Sequence, residues 1–142
     1  MKIWKNDFTL EGLNNSGKNC MVEHLGIEII DFGDDYLTAK MPVDERTKQP
    51  MGLLHGGANV ALAESLGSFA SVLCVDMSKK TVVGLEINAN HLKSATAGFV
   101  YGTCKPIRVG RTVHVWNIEI KNENDELVCV SRLTVAVIDR RN

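Results

Sequence analysis

No charge of either sign predominates in this sequence. Sixteen Lys and Arg stand against seventeen Asp and Glu, for a formal net charge of −1 at pH 7. That excludes the broad basic field by which proteins gather nucleic acid, and leaves only local cation clusters to meet a polyanion. Long apolar runs are missing too. The longest, Phe69 to Val75, falls well short of the ~20 residues that cross a bilayer, so no membrane association is expected. The segment from Met1 to Phe8 has cations but lacks the apolar stretch of a secretory leader.

Cysteine and proline are equally sparse. Cys20, Cys74, Cys104 and Cys129 have no paired spacing. Cys20 and His24 stand four apart, but no second pair of ligands follows, so neither a disulfide framework nor a zinc site is indicated. Reduced thiols in a cytoplasmic protein are the expectation. Three prolines and no repeat or low-complexity tract leave no linker to mark, which predicts one domain over residues 1–142. A chain of this length buries roughly 68–70% of its unfolded surface and needs no metal or disulfide to hold it.

What is present is a β-rich pattern broken by one strong helix. A short helix is expected over Thr9–Asn15, ended by Asn14-Asn15-Ser16-Gly17, and a helical turn over Met21–Leu25, stopped at Gly26. Strand-like runs follow at Ile27–Asp31, Tyr36–Met41, Thr81–Leu92, Phe99–Ile107, Thr112–Lys121 and Leu127–Ile138. Short turns join the last four, which favours an antiparallel sheet. Between the second and third strands, Ala58–Val75 holds twelve apolar residues and a single charge, Glu64. At 100° per residue Leu62, Leu66, Phe69 and Leu73 share one arc, with Glu64, Ser68 and Ser71 opposite. Val60 and Ala61 lie on that opposite side as well, so it is not a solvated face. The expected fold is α+β, a curved antiparallel sheet wrapped around one long central helix.

Three features converge on this helix. Gly52-Leu-Leu-His-Gly-Gly57 precedes it, and a glycine-paired entry to a helix exposes unpaired, partly positive N–H groups that suit an oxyanion. The same pattern also makes a plain tight turn. His-Gly-Gly occurs in lipase-type hydrolases, but here no G-x-S-x-G elbow accompanies it. The second feature is Glu64, a carboxylate in a mostly enclosed helix. It costs several kcal/mol unless paired, and it reads either as a satisfied structural group or as a general base or nucleophile toward a carbonyl. Ser68 stands one turn on. Third, strand alternation over Thr81–Leu92 puts Leu85, Ile87, Ala89 and His91 on one inward row. His91 then either completes a core or lines a ligand.

Spacing adds a constraint. Gly56 and Glu64 stand eight residues apart on one helix, about 12 Å along its axis and some 80° around it. An oxyanion donor must lie near 3 Å from the developing charge. One straight helix cannot offer both groups to one carbon, so joint action requires two subunits.

Taken together, Met41-Pro-Val-Asp-Glu-Arg-Thr-Lys-Gln-Pro50, Gly52–Gly57, Ala63-Glu-Ser65 and Val83–His91 resemble the hotdog-fold thioesterases, in the bacterial branch that acts on aromatic acyl thioesters. The resemblance runs from about Ile3 to Ile138. It implies metal- and cofactor-free hydrolysis of an acyl-CoA, or of an acyl group on a carrier protein, by a homo-oligomer that is a dimer of dimers. It implies that Glu64 is the catalytic carboxylate and faces Gly56 of a partner subunit. His55 and Gln49 would place the thioester and Ser68 would assist Glu64. Phe69 would meet the acyl group. Gly84, His91, Leu92, Lys93 and Ser94, with Arg108 and Arg111, would form the ligand-facing edge. Lys93 and the two arginines are the cations for the phosphates of coenzyme A.

Overall fold

A computed structural model describes residues 1–141. Two short helices, α1 (Leu10–Ser16) and α2 (Met21–His24), lead into a hairpin of β1 (Glu28–Phe32) and β2 (Leu37–Pro42). The long helix α3 (Gly56–Leu73) follows, and then β3 (Lys80–His91), β4 (Phe99–Val109), β5 (Val113–Lys121) and β6 (Leu127–Asp139). The six strands form one antiparallel sheet in the order β1-β2-β4-β5-β6-β3. The helix α3 lies against its inner face.

Local chemistry accounts for the element boundaries. Thr9 Oγ1 accepts the Gly12 N–H at 3.0 Å and starts α1. In the β5–β6 turn Asn122 Oδ1 accepts the N–H groups of Asn124 and Glu126 at 2.9 and 3.0 Å, while Asp125 takes a positive φ of 62°. Along β5 the pleat turns His114, Trp116, Ile118 and Ile120 inward and leaves the intervening residues more open. These side chains pack with Leu37, Met41, Leu62, Leu66 and Leu133 as the core between sheet and helix.

One polar cluster lies inside that core. Ser71 Oγ accepts the Trp116 indole N–H at 2.7 Å and sits 2.9 Å from His114 Nδ1. Ser71 and His114 are both essentially inaccessible, and burial pushes the His114 imidazole below the ordinary histidine value. The sheet therefore curls over the Ser71 side of α3, which helical angle alone assigned to the arc of Glu64. Toward the middle of the helix that arc stays partly open, with Val60, Ala61, Glu64, Ser68 and Val72 only half-buried.

Strand β3 is the long edge of the sheet. It pairs with β6 on one side, and among the described residues no strand pairs with its other side. Its register shifts between Gly84 and Glu86. That bulge removes Leu85 from the expected inward row: Leu85 is 61% exposed, while Ile87 and Ala89 pack against the core as expected. An extra residue reverses alternation, so Val82 and Gly84 face α3 before the bulge and Ile87, Ala89 and His91 after it.

Candidate active site

The helix α3 begins two residues earlier than its apolar pattern indicates, and this changes what the glycines do. Gly56 and Gly57 form its first turn, with His55 as the extended capping residue. His55 Nδ1 accepts the Gly57 N–H at 2.7 Å, and the His55 carbonyl receives the N–H groups of Ala58 and Asn59 at 3.0 and 3.3 Å. Three first-turn donors are thereby satisfied. The Gly56 N–H meets no acceptor among the described residues. It is the free donor at the positive end of an 18-residue helix.

The loop before the helix is held rigidly around that donor. His55 N–H bonds to the Thr47 carbonyl at 2.8 Å and Leu54 N–H to Ala95, beyond β3, at 2.8 Å. Gln49 Oε1 accepts the Met51 N–H, so the Gln49 side chain is folded back on its own loop. Gln49, Gly56, His91, Leu92, Lys93 and Ser94 line one cavity of about 310 Å³, with Asn59 at its floor. His91 lies against the helix start, and a Cβ on Gly56 would stand 2.8 Å from His91 Nε2. Only glycine permits this approach. Lys93 Nζ is paired with Glu126 at 2.6 Å, so it is a screened cation rather than a free one.

A second group of the expected residues gathers eight residues along the helix. Glu64 and Ser68 line a separate apolar cavity of about 320 Å³ with Val22, Ser65, Phe69 and Val72. Phe69 and Val72 also border a cleft of about 760 Å³ between α1 and α3, which Phe8, Leu13 and Met77 help to line. Phe69 is thus a cavity wall rather than a full member of the core arc. Glu64 lies against β3 at its bulge, where a Cβ on Gly84 would stand 2.6 Å from Glu64 Oε2. Gly84 makes room for the carboxylate. Arg108 and Arg111 belong to this same end of the sheet, because Gly84 aligns with Val135, Val135 with His114 and His114 with Val109.

Within one chain the anticipated site residues therefore fall into two separate groups. One holds Gln49, Gly56 and His91 to Ser94, with His55 capping the helix beside them; the other holds Glu64, Ser68, Phe69 and Gly84, while Arg108 and Arg111 lie at the same end of the sheet but three strands across from β3. The single ligand-facing edge expected from the sequence is split, since the bulge leaves six ladder steps between Gly84 and His91 on β3, about 20 Å in an extended strand. Thiol chemistry has no place in either half. Burial pushes Cys74 up to about 11 and Cys104 up to about 12, which keeps both protonated. Among the described residues no cluster of metal-binding side chains occurs, and no helix is long and apolar enough to cross a membrane.

A family model described as the thioesterase superfamily matches residues 51–129, the segment that carries the helix cap, α3 and most of the sheet. The chain belongs to the thioesterase superfamily. It is 57% identical over 136 residues to the 1,4-dihydroxy-2-naphthoyl-CoA hydrolase of Escherichia coli, covering 96% of this chain and 99% of that protein. A proofreading thioesterase, EntH, of Cronobacter turicensis is 50% identical over 96% of this chain and 98% of its own length. A crystal structure of a mutant thioesterase from Pseudomonas aeruginosa superposes with a TM-score of 0.97 at 50% identity, covering 98% of this chain and all of that one. This thioesterase is accordingly a thioester hydrolase of the hotdog architecture, a six-stranded antiparallel sheet curved against one helix.

Sequence reasoning missed Asn59. It is buried at 3% exposure in the first turn of α3, its Nδ2 lies 3.4 Å from His91 Nδ1, and its Oδ1 is buried with no hydrogen-bond partner among the described residues. A signal was available, because asparagine is a poor helix former in an otherwise apolar stretch.

Proposed function

We propose that this thioesterase hydrolyses aromatic acyl-CoA thioesters, with 1,4-dihydroxy-2-naphthoyl-CoA of menaquinone synthesis as the leading substrate, in a site assembled from two subunits. The observation that carries the reading is the division of the site along β3. The free Gly56 N–H stands beside His91 and the Glu64 carboxylate beside Gly84, on a strand whose outer edge is unpaired. A long unpaired edge is a template for another strand. Because the bulge adds one residue between them, antiparallel pairing of two β3 edges sets Gly84 of one copy opposite His91 of the other when the two-fold axis falls at Asn88. Glu64 then approaches Gly56 of the partner subunit, and the half-open stripe of α3 is covered.

In that arrangement the thioester carbonyl accepts from the Gly56 N–H, strengthened by the helix dipole, with His55 and Gln49 at the same end. Glu64 either removes a proton from the attacking water or attacks the carbonyl carbon to give a mixed anhydride that water opens. By either route the carbon–sulfur bond breaks, the sulfur leaves with a proton, and the free acid and coenzyme A are released. Ser68 assists Glu64, and Phe69 bounds the apolar space for the aromatic ring. Lys93 and Ser94 of one copy, with Arg108 and Arg111 of the other, meet the nucleotide phosphates. No cofactor takes part. Val83, Leu85 and Ile138, exposed on the outer face at 44%, 61% and 43%, offer apolar surface for joining two dimers into a cytoplasmic tetramer.

A second reading is clearance of a mischarged aryl carrier protein, favoured by the similarity to a proofreading thioesterase. The two readings separate in steady-state comparison of the same acyl group on coenzyme A and on a carrier protein. Glu64→Gln is the control for both. It should retain fold and ligand binding while lowering kcat by two or more orders of magnitude, and near-normal turnover by that variant would remove Glu64 from the mechanism.

A further inference from the structure

The orphaned amide of Asn59 is the feature that the mechanism above does not use. A buried carbonyl oxygen without a donor is destabilising, and an apolar side chain at this position would leave no such atom unpaired. The other end of the same amide points at the one imidazole that touches Gly56. Asn59 Nδ2 faces His91 Nδ1 at 3.4 Å, while the Nε2 edge of the ring abuts the Gly56 backbone. An amide NH₂ only donates, so the His91 nitrogen it faces must accept, and the proton of the neutral ring then resides on Nε2.

We infer that Asn59 is a positioning residue, which holds His91 in the Nε2–H tautomer against Gly56 so that this N–H and the Gly56 N–H face the same substrate carbonyl. The inference rests on the proposed use of Gly56 as the oxyanion donor, but the geometry of the pair stands independently of it. Asn59 touches no reacting atom in this account. It acts through His91, and the unpaired Oδ1 is the cost of turning Nδ2 toward the ring. The 3.4 Å separation is long for an N–H···N bond in the free protein, and catalytic hydrogen bonds commonly tighten when substrate closes the site.

The test reads the ring itself. In ¹⁵N-labelled protein, with the His91 signal assigned by its loss in His91→Gln, the two ring nitrogens report the tautomer directly. The wild type should show Nε2–H as the dominant neutral form. Asn59→Leu, which keeps the branching at Cγ but removes every polar atom, should leave the melting temperature unchanged or raised, shift His91 toward a mixed tautomer population, and lower kcat for an aromatic acyl-CoA by about tenfold with little change in KM. Asn59→Asp presents only acceptors and should move the proton to Nδ1, whereas Asn59→Gln should retain part of the wild-type tautomer. A wild-type ring that is already Nδ1–H, or a tautomer unmoved by Asn59→Leu, overturns the inference. So does an Asn59→Leu protein with lowered melting temperature and wild-type kcat, which is the signature of a purely structural amide. Because the tautomer is measured without turnover, an inactive wild type would count against the proposed function and not against the Asn59–His91 pair.

Discussion

Substituting Gly84 by alanine tests the Glu64 half-site with the smallest change the protein allows. The added Cβ would stand 2.6 Å from Glu64 Oε2, whereas ordinary contact begins at 3.4 Å, so the carboxylate must retreat by about 0.8 Å. The next residue it would meet is Leu133, whose Cδ1 lies 3.9 Å away, an unstrained contact. The Gly84 backbone is not left-handed, and alanine within a strand gains roughly 0.5–1 kcal/mol over glycine. Global stability should therefore stay within about 1 kcal/mol of wild type. Activity should not, because a misplacement of about 1 Å at a reacting group costs on the order of 10²-fold. The assay is thiol release from an aromatic acyl-CoA, with a thermal melt on the same preparation. The expected result is kcat down 10- to 100-fold, KM little changed and the melt preserved. In a Glu64→Gln background, Gly84→Ala should add almost nothing, since the group it displaces is no longer the acting one. A folded Gly84→Ala protein with wild-type kcat, or a full independent loss in the double variant, refutes the reasoning.

Other outcomes follow from the same coordinates. On a Cys20→Ser background, Asn88→Cys should cross-link into covalent dimers under mild oxidation while Thr81→Cys should not, and equal cross-linking of both would displace the proposed two-fold axis. Ser71→Ala removes the acceptor of the Trp116 N–H and the partner of His114 and should cost about 2 kcal/mol or more in denaturant unfolding, through buried groups left unpaired. The folded-state pKa of His114 is depressed by burial, so only the unfolded chain takes up that proton as pH falls below the ordinary histidine value near 6.5. The contribution is whole above that value and is lost as pH falls toward the folded-state value. His114→Gln should flatten that part of the stability–pH curve, and an unchanged slope would show that the ring does not titrate on unfolding.

The residues of the proposed site stand out in the sequence without any fold, but their grouping does not. Glu64 announced itself as the one charge in an apolar helix, and Gly56 as part of a glycine pair at that helix's start. His91 was reached by an alternation that in fact fails at Leu85. The bulge beside Gly84 brings His91 inward by adding one residue, and nothing in the local pattern marks it. Asn59 was passed over because its meaning lies in a partner 32 residues away.

Element identity and order were decided within the chain, because periodicity, capping and turn chemistry act over a few residues and need no distant neighbour. The eight-residue gap between Gly56 and Glu64 is likewise a property of any helix, and any reaction that uses both groups on one carbon needs two subunits. Tertiary structure alone decided that β3 is an unpaired edge, that the Gly84 backbone gives the Glu64 carboxylate its space, and that the His55 cap leaves one N–H free. Those facts depend on which strands and side chains meet across the fold, and such meetings are set by packing the whole chain at once.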